Sequence, residues 1–267
     1  MATDRSLALA VLLIFATLSV PTVYIAFRHG FRGMAILGWG YLFVFCSLKI
    51  VGSGMQMGDN PGSGAAIVTS IGLSPLLLAV AGVLHEARFY NASPEKRRLN
   101  TKKETLIIIL FHMQVMLGIA LVAVGMSRLA SRTAQDQVDQ GWKLAKIGAA
   151  VLLLGWVAVT SVAIRGGLTG HLRIKNQTPH NHGPRLLLAV LIALPFVGIR
   201  VIATFIYVLS ENQSLSAMTG SLGARVGLYI VEEIVATLVM VSAGVVTRGI
   251  RKEREDEVPL DDSLGRP

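Results

Sequence analysis

Seven long apolar segments constrain this chain more than any other feature of its sequence. They cover residues 6–27, 33–54, 65–86, 105–126, 142–165, 185–209 and 223–248. A helix needs about 20 residues to cross the hydrocarbon of a bilayer, and each segment is long enough. Composition agrees, because charged residues make up only 15% of the chain, against about 25% in an ordinary soluble domain. The sequence therefore predicts an all-α membrane protein with seven transmembrane helices, and it excludes an ordinary soluble enzyme.

The distribution of basic residues predicts the orientation of these helices. With the N-terminus outside, most of the 25 Lys and Arg residues fall on the inner side, as is usual for cytoplasmic loops. We therefore expect the N-terminus out, the C-terminus in, a transmembrane bundle over residues 1–248 and a disordered cytoplasmic tail over residues 249–267. The net charge of +9 then reflects topology and contact with anionic lipid heads rather than nucleic-acid binding.

Four ionisable residues lie well inside the apolar segments. They are Lys49 in the second segment, Arg200 in the sixth, and Glu232 and Glu233 in the seventh. Such side chains are costly in hydrocarbon, so each of them indicates a functional site by default. In the predicted orientation all four lie at a similar depth in the outer half of the bilayer, where cations and carboxylates neutralise each other. An ion pair that only ties helices six and seven together is the structural alternative.

The two adjacent glutamates predict an asymmetric site. Neighbouring residues on a helix point about 100° apart, so Glu232 and Glu233 cannot face one partner equally. We expect one of them to pair with Arg200 and the other to face a cavity. Three further side chains lie one or two turns away on the same helix faces. They are Tyr229, Thr204 and Tyr207.

Other polar residues give weaker signals. His112 in the fourth segment is interpreted as polar packing, and His85 and Glu86 end the third segment, where we expect both to reach water. The histidines within residues 171–182 fit no metal-site spacing. The single cysteine, Cys46, excludes an internal disulfide. We predict neither a metal nor a cofactor.

Two stretches carry a resemblance to known proteins. The first is residues 69–79 (TSIGLSPLLLA), and the second combines Pro195, Phe196 and Arg200 with residues 232–235 (EEIV). Together they resemble a fungal family of seven-helix integral membrane proteins, and within it the membrane-bound terpene cyclases of ascofuranone-like and macrophorin-like pathways. The resemblance covers most of the seven segments. It implies cyclisation of a farnesyl or epoxyfarnesyl chain on a meroterpenoid, started by protonation and without loss of diphosphate.

That chemistry implies a role for each candidate residue. It needs a carboxylic acid that stays neutral and a water-poor cavity that stabilises a carbocation. Glu232, Glu233 and Arg200 are the predicted catalytic residues, with one glutamate as the acid. Aromatic faces and cations are expected to bind the substrate. The predicted substrate-binding residues are Lys49, Tyr229, Tyr207, Thr204, Trp39 and Tyr41, with Phe45 as a further aromatic. The expected partners are a lipid-soluble prenylated small molecule and membrane lipids.

Two other functional classes stay open at the level of the sequence. A receptor-like or sensor protein without enzymatic activity would use the tail and the basic inner loops as a partner surface. A proton-coupled transporter would use the same glutamates as a relay. For a cyclase of this kind, the endoplasmic reticulum membrane is the expected location.

Overall fold

Helices account for all regular structure in the part of the chain that the structure describes. The computed structural model describes residues 2–29, 35–58, 64, 68, 73–91, 94–131, 135–171, 182–217 and 219–248. The helices longer than one turn are α1 (Ala2–His29), α2 (Ala35–Met57), α3 (Leu73–Asn91), α4 (Pro94–Ser131), α5 (Gln135–His171), α6 (His182–Ser210) and α7 (Leu222–Val246). Within α7, a π-helical turn over Val226–Ile230 separates a short α-helical start from the longer helix Val231–Val246.

Six of these helices are long and apolar enough to cross a membrane. They are α1, α2, α4, α5, α6 and α7. This finding confirms the prediction of a multi-pass helical membrane protein. The count of seven membrane-spanning helices and the orientation of the termini stay predictions, and the predicted tail over residues 249–267 lies outside the described residues.

Helix α3 differs most from its predicted segment. The segment covers residues 65–86, whereas the described helix spans Leu73–Asn91, and residues 65–67 and 69–72 lie outside the described chain. Its side chains from Leu76 to Val80 are at most 1% exposed, so protein rather than lipid surrounds this part of α3. Glu86 is 3% exposed, and the prediction that it reaches water is therefore wrong. The helix continues past Glu86 to Asn91, which keeps the carboxylate inside the bundle.

Five helices form a closed ring. In this ring α1 packs on α2, α2 on α3, α3 on α6 and α6 on α7, and α7 returns to α1. Helices α4 and α5 form a hairpin that joins the ring mainly through α5 and α6. The largest fully buried side chains of the ring helices include Trp39 and Phe45, together with the charged Arg200. The ends of the ring are called the Asp4 end and the His29 end below, after the first and last turns of α1.

Glycines allow the closest helix crossings. A Cβ atom on Gly82 of α3 would lie 2.5 Å from the Cα atom of Gly38 in α2. A Cβ atom on Gly125 of α4 would lie 2.6 Å from the carbonyl oxygen of Gly141 in α5. Small residues let helix backbones approach this closely within a membrane. The first crossing fixes the position of α2, from which Lys49 projects, and the second joins the α4–α5 hairpin.

Candidate functional site

Three buried charges from three helices meet in the half of the ring nearer the Asp4 end. The Glu233 carboxylate of α7 is 1% exposed, and its Oε1 accepts a hydrogen bond from Nε of Arg200 in α6 at 3.0 Å. Its Oε2 forms an ion pair with Nζ of Lys49 in α2. Lys49, Arg200 and Glu233 are called the charged cluster below. Because it joins α2, α6 and α7, this cluster fixes three sides of the ring relative to each other.

Further contacts hold the guanidinium of Arg200 in place. Its Nη1 donates a hydrogen bond to Oγ1 of Thr204 at 2.5 Å, and the Thr204 hydroxyl donates to the backbone carbonyl of Arg200 at 2.9 Å. Its Cζ lies 4.3 Å from the ring centroid of Tyr229 in α7, which is a cation–π contact. A carboxylate, a hydroxyl and an aromatic ring thus orient the guanidinium before any ligand binds.

The charged cluster carries an excess of one positive charge, because two cations share one carboxylate. Lys49 is 9% exposed, and its Nζ lies 5.7 Å from the ring centroid of Phe45. An aromatic face offsets only part of the cost of burying an ammonium. An anionic or electron-rich ligand group is therefore stabilised beside this cluster, whereas a metal cation is disfavoured there.

The π-helical turn of α7 directly precedes the two glutamates. A π-helical turn contains one residue more than an α-helical turn, and such turns occur frequently at functional sites. Tyr229 lies within this turn, over Val226–Ile230. Its ring faces Arg200, and its hydroxyl donates a hydrogen bond to the carbonyl oxygen of Leu215 at 2.5 Å. Tyr229 therefore links α6, α7 and the segment that connects them.

Glu232 has a different environment from Glu233. It is 9% exposed, and it points about 100° away from Glu233 around the helix axis. Its Oε2 is buried without a hydrogen-bond partner among the described residues. Two cations neutralise Glu233, whereas Glu232 forms no ion pair within the described chain.

A cavity opens beside the charged cluster at the Asp4 end. It has a volume of about 500 Å³ when its open mouth is included, and Lys49, Arg200 and Arg225 line it. Nη1 of Arg225 donates a hydrogen bond to Oδ1 of Asp4 at 2.6 Å, whereas its Nε is buried without a described partner. The remaining wall is largely apolar and comes mainly from α1, α2 and α7, and within the described residues neither glutamate of α7 lines it. The lining of the cavity thus combines cationic side chains with apolar ones.

One sequence family covers nearly the whole chain. The family described as a domain of unknown function, DUF7702, matches residues 1–250. The chain belongs to the DUF7702 family. The matched range contains all seven helices, the charged cluster and the cavity beside it. No curated protein and no solved structure matches the chain.

The structure gathers only part of the predicted site in this DUF7702 member. The predicted residues that meet at the charged cluster are Lys49, Arg200, Glu233, Thr204 and Tyr229. Other predicted aromatic residues have other neighbours. The ring of Tyr207 lies 6.1 Å from that of Trp142 in α5, and the ring of Tyr41 lies 5.4 Å from that of His112 in α4. Trp39 is fully buried and donates its indole N–H to Glu86 at 2.9 Å.

A second buried polar cluster, at the His29 end, was not predicted. Nδ1 of His29 lies 2.9 Å from Oε1 of Glu86, whose Oε2 accepts the hydrogen bond from Trp39. Nε2 of His29 lies 3.2 Å from the carbonyl oxygen of Gly244. Nε2 also lies 3.4 Å from Oγ1 of Thr247, so the Glu86 carboxylate and α7 together hold the His29 ring. The cluster joins α1, α2, α3 and α7 of the DUF7702 ring.

Sequence reasoning missed Arg225 and His29 for the same reason. Both lie near the end of an apolar segment, where a basic residue or a histidine ordinarily contacts water or lipid heads. The signal available in the sequence was that each has an acidic residue at the same predicted depth on another helix. For Arg225 this residue is Asp4, and for His29 it is Glu86.

Proposed function

We propose that this DUF7702 member is a membrane-bound terpene cyclase of fungal secondary metabolism. The proposed substrate is a meroterpenoid whose farnesyl or epoxyfarnesyl chain closes into rings after protonation, without loss of diphosphate. The proposal depends on the difference in surroundings between the two carboxyl groups of α7. Glu233 forms ion pairs with Arg200 and Lys49, whereas Glu232 is buried and forms no ion pair within the described chain. Burial without a cation favours the neutral carboxylic acid, which is the form that proton-initiated cyclisation needs.

Glu232 is the general acid in the proposed mechanism. Its carboxyl proton passes to the epoxide oxygen, whose C–O bond opens, or to a carbon of the terminal alkene. The resulting carbocation is attacked in turn by the double bonds of the prenyl chain, which forms the ring C–C bonds. Loss of a proton from the last cation to the Glu232 carboxylate restores the acid. The product is an isomer of the substrate, so the reaction consumes no cofactor.

The charged cluster positions the polar head of the substrate in this proposal. Lys49 and Arg200 line the cavity together with Arg225, and hydrogen bonds from cationic donors to a phenol or carboxyl oxygen are strong. Tyr229 lines the same cavity and precedes Glu232 by three residues, which is about 5 Å along the helix axis. A head bound in the cavity then lies about one helical turn from Glu232, toward which its prenyl chain would extend.

The proposed substrate also implies the location of the protein. A farnesylated phenol dissolves in the bilayer and reaches a membrane-embedded site by lateral diffusion. We therefore place the protein in the endoplasmic reticulum membrane with its N-terminus on the lumenal side. In this orientation the charged cluster lies in the outer half of the bilayer.

Yeast microsomes that contain the chain provide the test. They are supplied with a linear farnesylated phenol or with its terminal epoxide, and chromatography with mass detection follows the products. We expect a new product of unchanged mass from wild type, and a rate at least about 100-fold lower from Glu232→Gln, since general acids contribute about that much or more. The matched control is Glu211→Gln, which alters an exposed carboxylate paired with Lys146 and is expected to leave the rate unchanged.

Glu233→Gln separates the acid from the positioning residue. At equal amounts of folded protein we expect this variant to raise KM while keeping most of kcat, because Glu232 is still present. Loss of kcat in Glu233→Gln but not in Glu232→Gln would exchange the two roles. No product from either substrate, with wild-type protein verified in the membrane, would contradict the cyclase proposal.

A proton-coupled transporter is the second candidate, and the environment of Glu232 also favours it. A membrane-buried carboxyl without a cationic partner is the type of group that proton relays use. The discriminating measurement is proton flux into vesicles that contain the purified chain. Substrate-dependent acidification of the vesicle lumen without any new product would favour the transporter over the cyclase.

A further inference from the structure

The wall of the cavity beside the charged cluster contains three cationic side chains and, among its described residues, no acidic one. The cations are Lys49, Arg200 and Arg225. Their counter-ions lie outside the lining, because Glu233 pairs with Lys49 and Arg200, and Asp4 pairs with Arg225. Three cations thus share two carboxylates. One positive charge beside the cavity has no counter-ion in the part of the chain that the structure describes.

These cations keep hydrogen-bond donors for a ligand. The Arg200 guanidinium bonds through Nε and Nη1, and that of Arg225 bonds through Nη1. The second terminal nitrogen, Nη2, of each guanidinium makes no hydrogen bond within the described chain, yet neither is among its fully buried, unpartnered polar atoms. Both Nη2 atoms therefore keep accessible surface. The Lys49 side chain is 10% exposed, and its ammonium has three N–H donors for a single carboxylate oxygen.

The single excess charge favours a monoanion. One ligand carboxylate makes the number of negative charges equal to the number of cations. A phosphate monoester carries about −1.5 to −2 charges at neutral pH and would leave an excess of negative charge. An uncharged phenol or ester would leave a buried cation without a counter-ion, which is costly. A guanidinium group also matches the planar geometry of a carboxylate.

The apolar part of the wall favours an anion that is attached to an apolar body. Leu7 and Val11 of α1 and Leu48 of α2 contribute to it. Apolar side chains exclude water, and the attraction between a cation and an anion is stronger where water is excluded. A small inorganic anion gains nothing from these side chains, whereas an amphiphilic carboxylate buries its apolar part against them.

We infer that the ligand head in this cavity is an ionised carboxylate held by Lys49, Arg200 and Arg225, and that the substrate is a farnesylated aryl carboxylic acid. The farnesyl chain in this assignment rests on the proposed function, whereas the carboxylate follows from the charges in the cavity wall. With the carboxylate at the cations, the chain extends toward Glu232. The corresponding amide or ester fills the same space but leaves the excess charge in place.

The test compares two probes that differ mainly in charge. They are 3-farnesyl-4-hydroxybenzoic acid and its primary amide, which has nearly the same shape and is uncharged at neutral pH. Radiolabelled probes are titrated onto the purified full chain in phosphatidylcholine nanodiscs, and empty nanodiscs give the partition background. We expect the acid to bind about 10- to 100-fold more tightly than the amide, which is the range for hydrogen bonds to charged groups.

Two variants remove one cation each from the cavity wall. Lys49→Met leaves the Arg200–Glu233 pair intact, and Arg225→Gln removes a cation whose partner Asp4 is 57% exposed. Each should lower the preference for the acid by at least about fivefold, because one charged donor is lost. Lys146→Gln is the matched control, since this lysine pairs with Glu211 on the surface, and it should leave the preference unchanged.

Equal affinity of wild type for the acid and the amide would overturn the inference without any variant, so a folding defect in a variant does not decide the outcome. A preference that persists unchanged in both Lys49→Met and Arg225→Gln would overturn it as well. Nanodiscs with added phosphatidylglycerol distinguish a ligand carboxylate from a lipid phosphate. Unchanged binding of the acid is expected there, and its displacement would assign the cations to lipid heads and overturn the inference.

Turnover of the same probes separates the carboxylate head from the cyclase activity. Equal binding of acid and amide, with both converted to products of unchanged mass, would support the cyclase and overturn the carboxylate head. Tight binding of the acid, without product from it or from its terminal epoxide, would contradict the cyclase and support the carboxylate site.

Discussion

Removal of the Glu233 charge is the most informative perturbation of the charged cluster. Glu233→Gln keeps the shape of the side chain but leaves Arg200 and Lys49 buried without a carboxylate. Breaking one buried ion pair costs about 3–5 kcal/mol, and this change breaks two, so we expect a loss near the upper value. At about 2–4 °C per kcal/mol for a chain of this size, the unfolding midpoint should fall by about 10–20 °C.

Because the charged cluster has one cation more than it has carboxylates, we expect replacement of Lys49 to cost little or no stability. Lys49→Met leaves the Arg200–Glu233 pair intact and electrically neutral, and it removes a 9% exposed ammonium. Replacement of a buried ion by an apolar side chain of similar size is often neutral or stabilising. We therefore expect a change within about 1 kcal/mol. Added to Glu233→Gln, the same substitution should recover stability, because one unpaired cation then remains instead of two.

The assay is thermal unfolding of the detergent-solubilised protein, followed by near-UV circular dichroism. Wild type, both single variants and the double variant form a double-mutant cycle, which isolates the interaction between the two sites. A loss for Lys49→Met as large as that for Glu233→Gln would refute the reasoning. A double variant less stable than Glu233→Gln alone would refute it as well.

Four further variants are tested in the same unfolding assay. Gly82→Ala should destabilise the protein by about 1–3 kcal/mol, because the new Cβ would lie 2.5 Å from the backbone of Gly38. Gly54→Ala should stabilise the protein by about 0.5–1 kcal/mol, because no atom lies within 4 Å of its new Cβ. Glu86→Ala should cost about 2–6 kcal/mol, because the buried rings of His29 and Trp39 both lose their partner, at about 1–3 kcal/mol for each unsatisfied group. Lys146→Gln should change stability by less than about 1 kcal/mol, because its ion pair is half-exposed. A larger loss of stability in Lys146→Gln than in Glu86→Ala would contradict the conclusion that Glu86 is a core residue and Lys146 a surface residue.

Much of the fold follows from hydropathy. Six of the seven apolar segments correspond to helices long and apolar enough to cross a membrane, because lipid solvation depends on local composition. Helix α3 is less well predicted, since its surroundings are largely other helices. Other helices rather than lipid surround Leu76, and one of them supplies His29 as a partner for Glu86. The composition of the segment alone does not predict either contact.

For the candidate site, too, the sequence identified the residues but not the contacts that they make. The cost of charge in hydrocarbon singled out Lys49, Arg200 and the two glutamates from the sequence. It could not distinguish Glu232 from Glu233, because the rotation of α7 about its axis depends on which helices surround it. The aromatic residue Trp39 was grouped with the site by residue type, and the structure places it at the opposite end of the ring, bonded to Glu86.

The sequence by itself determined that this chain forms membrane-crossing helices and that four ionisable residues lie within them, since both follow from the free energy of placing each segment in hydrocarbon. Only the tertiary structure decided that Glu233 pairs with both Lys49 and Arg200, whereas Glu232 pairs with no cation among the described residues. It also decided that His29 meets Glu86. These contacts join residues far apart in the chain, so they depend on the order and rotation of the packed helices, which no single segment encodes.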